Sequence, residues 1–133
     1  MKSLFFFLLI FLNIFNLSFA DNLKFTKIFE LDNPWGSTFI NENELLITEK
    51  FGTIKLINIK ENKVINIDHN INYLVDGQGG LLDVIYKDKN VWVSYSENRG
   101  SKTSSTSIVK GEFNRNKIDF KNIFRAEPPI KSG

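Results

Sequence analysis

The sequence predicts an all-β chain built from repeated four-stranded meanders. Two observations predict it. After residue 20 no segment repeats its apolar residues at the 3.6-residue helical period; short runs rich in Phe, Ile, Val, Leu and Tyr alternate with clusters of Asn, Asp, Gly and Lys. These runs also fall into two similar blocks. "PWGSTFINENELLITEKFGTIKLINIKENKVINI" reads as four strands, and "GGLLDVIYKDKNVWVSYSENRGSKTSSTSIVKGEFNRNKIDFKNIF" reads as the same four with a longer middle hairpin.

The elements follow in order. Lys2 precedes the apolar run "LFFFLLIFLNIFNLSFA", with small residues at Ser18 and Ala20, so residues 1–20 read as a signal peptide cleaved after Ala20. Asn13 and Asn16 interrupt the run, which is short for a span, so no stable membrane insertion is expected after cleavage. No cysteine lies near the cleavage site to carry a lipid. "LKFTKIFE" is a leading strand outside both blocks. "GSTFI", "ELLITE", "TIKLINI" and "KVINI" are the strands of the first block; "LLDVIY", "VWVSYSE", "TSIVKGEF" and "FKNIFR" are those of the second. The breaks "NEN", "KFG", "KEN", "KDKN", "NRGSKTSS" and "NRNK" carry the Asn, Asp and Gly of turns.

Aligning the blocks matches Gly36 with Gly80, 44 residues on, and Leu46 with Trp92, 46 residues on. Four strands in roughly 40–50 residues, repeated, is the period of a β-propeller blade. Two unrelated meanders in one sandwich is the alternative. A propeller closes with about four to eight blades, so residues 21–133 are expected to be the N-terminal part of a longer propeller. The leading strand is then expected to complete a last blade that this chain does not contain.

Removing the first 20 of 133 residues takes away only Lys2 among the charges, and the formal net charge falls from +2 to +1. Neither nucleic acid nor an anionic membrane is expected as a partner. With no cysteine there are no disulfides, thiolate nucleophiles or thiolate metal ligands. His69 is the only histidine, so neither a catalytic triad nor a zinc site has its parts; it reads as a solvated loop residue. Glu49, Asp76, Asp83 and Glu97 are scattered without the spacing of a calcium loop. Glu49 and Glu97 end the second strand of each block ("ITEK", "YSEN") and read as hydrogen-bonding groups for the adjoining turns. "RGSKTSSTS" reads as a flexible hairpin tip, and Trp35, Trp92 and Tyr95 as packing between blades. "VDGQGG" joins the two blocks, on the face where a propeller gathers its loops around the channel. Its glycines permit positive φ and close backbone approach, and Gln78 offers an amide that both donates and accepts. An ordinary turn explains the same residues. The loop lacks the lysine and following helix of a phosphate cradle.

"LDNPWGSTF", "ELLITEKFGTIKLI", "DGQGGLLDV", "WVSYSE" and "FRAEPPIKSG", in this order and spacing, resemble the start of the soluble aldose sugar dehydrogenases of the glucose/sorbosone dehydrogenase family. The resemblance implies a six-bladed propeller, periplasmic or otherwise exported. It also implies a pyrroloquinoline quinone (PQQ) cofactor, bound calcium ions, and oxidation of the anomeric carbon of aldoses to lactones. In that family a histidine acts as general base on the sugar hydroxyl while hydride passes to the quinone, and the resemblance implies the same here. Gln78 matches the glutamine that lies over the cofactor and near the sugar. The base does not match His69. It follows a segment like "PPIKSG", so the catalytic histidine, the cofactor-clamping cations and the calcium ligands are expected outside this chain. The fragment is expected to be inactive alone. The preferred aldose and the electron acceptor stay open. Two other readings stand beside this one: an exported non-catalytic propeller that binds glycans or protein, and a propeller lactonase, which would need metal-binding carboxylates around the channel.

Overall fold

The computed structural model describes residues 23–131; the expectations for the leader and its cleavage after Ala20 lie outside them. Among the described residues there are ten strands and no helix. Blade one is an antiparallel meander of β1 (Pro34–Asn41), β2 (Glu44–Glu49), β3 (Thr53–Asn58) and β4 (Lys63–His69). Blade two consists of β5 (Leu81–Lys87), β6 (Asn90–Asn98), β7 (Thr103–Glu112) and β9 (Lys121–Arg125), with β10 (Ile130–Lys131) continuing along the edge of β7. Between β7 and β9 the chain leaves its blade, and β8 (Lys117–Ile118) pairs in parallel with β4. That excursion stitches blade two to the outer edge of blade one.

Side chains that bond their own turns make the corners. Asn41 Oδ1 accepts from Asn43 N at 2.9 Å, and Asn58 Oδ1 accepts from Glu61 N at 2.9 Å. Asp88 and Lys89, both at positive φ (48° and 63°), turn β5 into β6, the arrangement that suits the strands' twist. The period-2 alternation places Leu46, Ile54, Leu56 and Ile67 of blade one against Val84, Val91, Val93 and Tyr95 of blade two. This inter-blade layer is the core.

"LKFTKIFE" forms no ladder among the described residues, and its Phe25 is 91% exposed; the blade it was expected to complete is not in this chain. Two sequence expectations change. "RGSKTSSTS" is not a flexible tip, because Thr103–Ser107 belong to β7 and only Gly100–Lys102 turn. The match of Leu46 with Trp92 slips by two residues. Gly36 lies opposite Thr48, and the Gly80 carbonyl accepts from Ser96 N, so the glycines do correspond. Thr48 therefore corresponds to Ser96 and Glu49 to Glu97, 48 residues on, which makes the first hairpin of blade two four residues longer. The slip keeps the parity of the faces and so escapes a reading by alternation.

Candidate functional site

At one end of the two blades the β2–β3 turn, the β4–β5 connection and the β6–β7 turn meet. The connection is pinned along its length to both blades. His69 Nε2 donates to the Gly52 carbonyl at 3.0 Å, while its Nδ1 accepts from Ile71 N at 3.2 Å. Tyr73 Oη donates to the Phe51 carbonyl at 3.2 Å. Leu74 N donates to the Ser96 carbonyl at 2.8 Å, and Asn98 N to the Asn72 carbonyl at 3.0 Å. His69 is thus a strand-end latch and not the solvated loop residue the sequence suggested.

The tip of the connection is a tight turn, closed by Gly79 N donating to the Asp76 carbonyl at 2.6 Å. Gly77 takes its first corner at φ +51° with open space where a Cβ would stand. Gln78 takes the second corner and is exposed. Among the described residues its side-chain amide bonds to none, so the turn presents an uncommitted donor–acceptor group at the loop end. Lys50, on the β2–β3 turn, donates from Nζ to the Gly77 carbonyl at 2.5 Å. Sequence reasoning passed over Lys50, since a lysine after a strand usually signals only a solvated turn.

Below this rim a buried glutamate pairs with an exposed arginine. Glu97, 6% exposed, accepts from Arg125 Nε at 2.7 Å, from Arg125 Nη2 and from Ser107 Oγ at 2.7 Å. The Arg125 hydrogen bonds hold its carboxyl below the ordinary 4.5, against the opposing effect of burial. Burial, with help from the Glu97 charge, raises the neighbouring Tyr95 hydroxyl. Glu49 is also buried and pairs with Lys55 Nζ at 2.7 Å while accepting from Asp32 N at 2.6 Å. Both glutamates brace strand ends. Of the aromatics read as packing, Tyr95 is in the core, Trp35 is 47% exposed, and Trp92 lies on the outer face of blade two under the Lys110 ammonium, 5.3 Å from the ring centre.

A cavity of about 900 Å³ lies at the opposite end among Asn41, Glu44, Asn58, Lys63 and Arg115. It is a polar groove between turns, fastened by the Arg115–Glu44 ion pair, and no predicted site residue lines it. Among the described residues no three His, Asp or Glu side chains gather where they could hold a metal ion.

Residues 31–133 match the family model for glucose/sorbosone dehydrogenase. The chain belongs to that family. A solved glucose dehydrogenase superposes with a TM-score of 0.70 at 28% identity, over 75% of this chain and 32% of its own. The soluble aldose sugar dehydrogenase of Escherichia coli, solved in its apo form, gives 0.68 at 28% over 74% and 31%. The PQQ-bound aldose sugar dehydrogenase of Streptomyces coelicolor gives 0.64 at 20% over 74% and 32%, a likeness of fold. The chain thus spans about a third of these structures and supplies two blades of the glucose/sorbosone dehydrogenase propeller. A search of curated proteins returns no match.

Proposed function

We propose that this chain is the N-terminal part of an exported, PQQ-dependent aldose sugar dehydrogenase, and that Gln78 forms one wall of the cleft for cofactor and sugar. The observation that carries the reading is the unpaired Gln78 amide, held at the loop end of a family-matched pair of blades. The donor chemistry fits the group: a polar quinone bearing carbonyls and carboxylates suits a primary amide that can both donate and accept. Bound PQQ supplies the two-electron acceptor for oxidation at the anomeric carbon. The chain's own contribution is binding and orientation, with Gln78 donating to or accepting from sugar hydroxyls or a quinone oxygen. The general base, the remaining cofactor clamp and the calcium ligands belong to segments beyond Gly133. The use of both His69 ring nitrogens at the blade junction supports placing the base elsewhere.

The test uses the full-length gene product, supplied with PQQ and calcium. It should reduce a dye in the presence of an aldose, and its mature N-terminus should be Asp21 by mass. Gln78→Ala should raise KM for the aldose about tenfold, the worth of one good hydrogen bond. Absence of aldose-dependent reduction in the wild-type protein sinks the assignment. Residues 21–133 alone should give none.

A further inference from the structure

We propose that Lys50 is a positioning residue for Gln78. The inference deepens the reading above, and its kinetic arm rests on that reading. Lys50 makes three hydrogen bonds, and its Nζ also lies 5.7 Å from the Phe51 ring centre. Its N–H donates to the Asn33 carbonyl at 3.0 Å, its carbonyl accepts from Leu81 N at 3.2 Å, and its Nζ donates to the Gly77 carbonyl at 2.5 Å. The last two bonds grip opposite flanks of the turn that carries Gln78: Gly77 immediately before it and Leu81 three residues after. Between them Gly80 brings its Cα against the Lys50 carbonyl so closely that an added Cβ would stand 2.0 Å from the oxygen.

The grip ties the loop to blade one, whereas the bonds from Leu74 and Gly80 to Ser96 tie it to blade two. Gln78 therefore sits at a position defined by both blades. Two features show that the lysine side chain, and not only its backbone, has this task. Among the described residues no carboxylate pairs with Lys50, so its charge is not spent on an ion pair. Its ammonium bonds to a carbonyl 27 residues away, although a lysine beside a turn could hydrate freely. Without that bond, the left-handed corner at Gly77 would be held only by the turn's own Gly79–Asp76 bond, and the direction of the Gln78 amide would spread.

The test is a double-mutant cycle in the full-length protein, with Lys50→Met, Lys50→Arg, Gln78→Ala and the Lys50→Met/Gln78→Ala pair. Lys50→Met keeps the stem and removes the donors. It should raise KM for the aldose about tenfold, with kcat nearly unchanged, and Lys50→Arg should recover most of the loss. In the Gln78→Ala background Lys50→Met should add less than twofold, since nothing remains to position. Equal effects in both backgrounds would show that Lys50 acts on its own and overturn the proposal. Hydrogen exchange at the Gly79 and Leu81 amides supplies an arm independent of turnover. Lys50→Met should speed exchange there, leaving the Val93 amide in the core unchanged. If the wild-type protein oxidises no sugar, the functional reading fails while the exchange arm still decides the positioning; unchanged exchange at Gly79 and Leu81 overturns it.

Discussion

Gly80→Ala concentrates the physics of the blade junction in one methyl group. Gly80 has φ +142°, a region that costs a residue with a side chain about 1–3 kcal/mol. The new Cβ would lie 2.0 Å from the Lys50 carbonyl oxygen and 3.0 Å from its carbonyl carbon. Neither atom is the free end of a side chain that can swing away. Relief to even 3.0 Å requires a movement of about 1 Å, which carries the Leu81 N–H, now 3.2 Å from the same oxygen, out of hydrogen-bonding range. Losing that bond adds about 1 kcal/mol, for a total of about 2–4 kcal/mol. Gly77→Ala is the control, because Gly77 also has positive φ, +51°, but a Cβ there meets open space. Its cost is that of the left-handed region alone, about 1–2 kcal/mol. Urea unfolding of the full-length protein, followed by tryptophan fluorescence, compares the two at constant m. On the proposed function, Gly80→Ala should also disturb aldose KM through Gln78. If Gly80→Ala proves no less stable than Gly77→Ala, the close approach to Lys50 does not hold the junction and the reasoning is wrong.

The remaining predictions concern buried polar groups. Thr48 is fully buried, and its Oγ1 donates across the blades to the Leu82 carbonyl while accepting from Gly36 N at 3.1 Å. The irregular register between Leu81 and Val84 frees that carbonyl from its own ladder. Thr48→Val, equal in shape, should cost about 1–3 kcal/mol in a denaturant titration, and Thr48→Ser should restore most of it; an unaltered midpoint in the valine variant counts against the cross-blade bond. Glu97 and Glu44 both titrate below the ordinary 4.5, chiefly because Arg125 and Arg115 donate to them. A carboxyl depressed in the folded state stabilises the fold above its unfolded value, and that contribution disappears as pH falls through the folded value. Stability should therefore drop below about pH 4.5, and Glu97→Gln should flatten that acid limb, measured as melting temperature against pH. An acid limb of unchanged steepness would remove Glu97 from the account.

Strand content and faces were legible in the sequence because alternation is local. "VWVSYSE" states its buried face in the residues themselves, and Val91, Val93, Tyr95 and Glu97 are indeed the side that meets blade one. What failed was whatever depends on a partner elsewhere in the chain. "LKFTKIFE" alternates equally well and forms no ladder among the described residues, because its pattern names no edge and the blade it was expected to complete is not among them. The Leu46–Trp92 match failed because two blades may keep the same faces while one hairpin is longer by an even number of residues; only hydrogen-bond register, anchored by Gly36 and Gly80, distinguishes 46 from 48.

The site divides along the same line. Gln78 was conspicuous because three glycines surround it, and each glycine is a local mark of an unusual backbone. Lys50 carried no mark, for a lysine in "ITEKFG" looks like any turn cation. Its importance exists only once blade one's turn and the inter-blade connection, 27 residues apart, are brought together. The same holds for His69, whose two ring nitrogens are consumed by Gly52 and Ile71. A composition-based search for chemistry would favour that lone histidine over the lysine. Geometry reverses the order: the histidine's capacity is used up in fastening blade to loop, while the lysine fastens the loop and leaves the glutamine amide at its tip uncommitted. A candidate binding residue in this fold is recognised less by its chemical type than by what its neighbours leave unpaired.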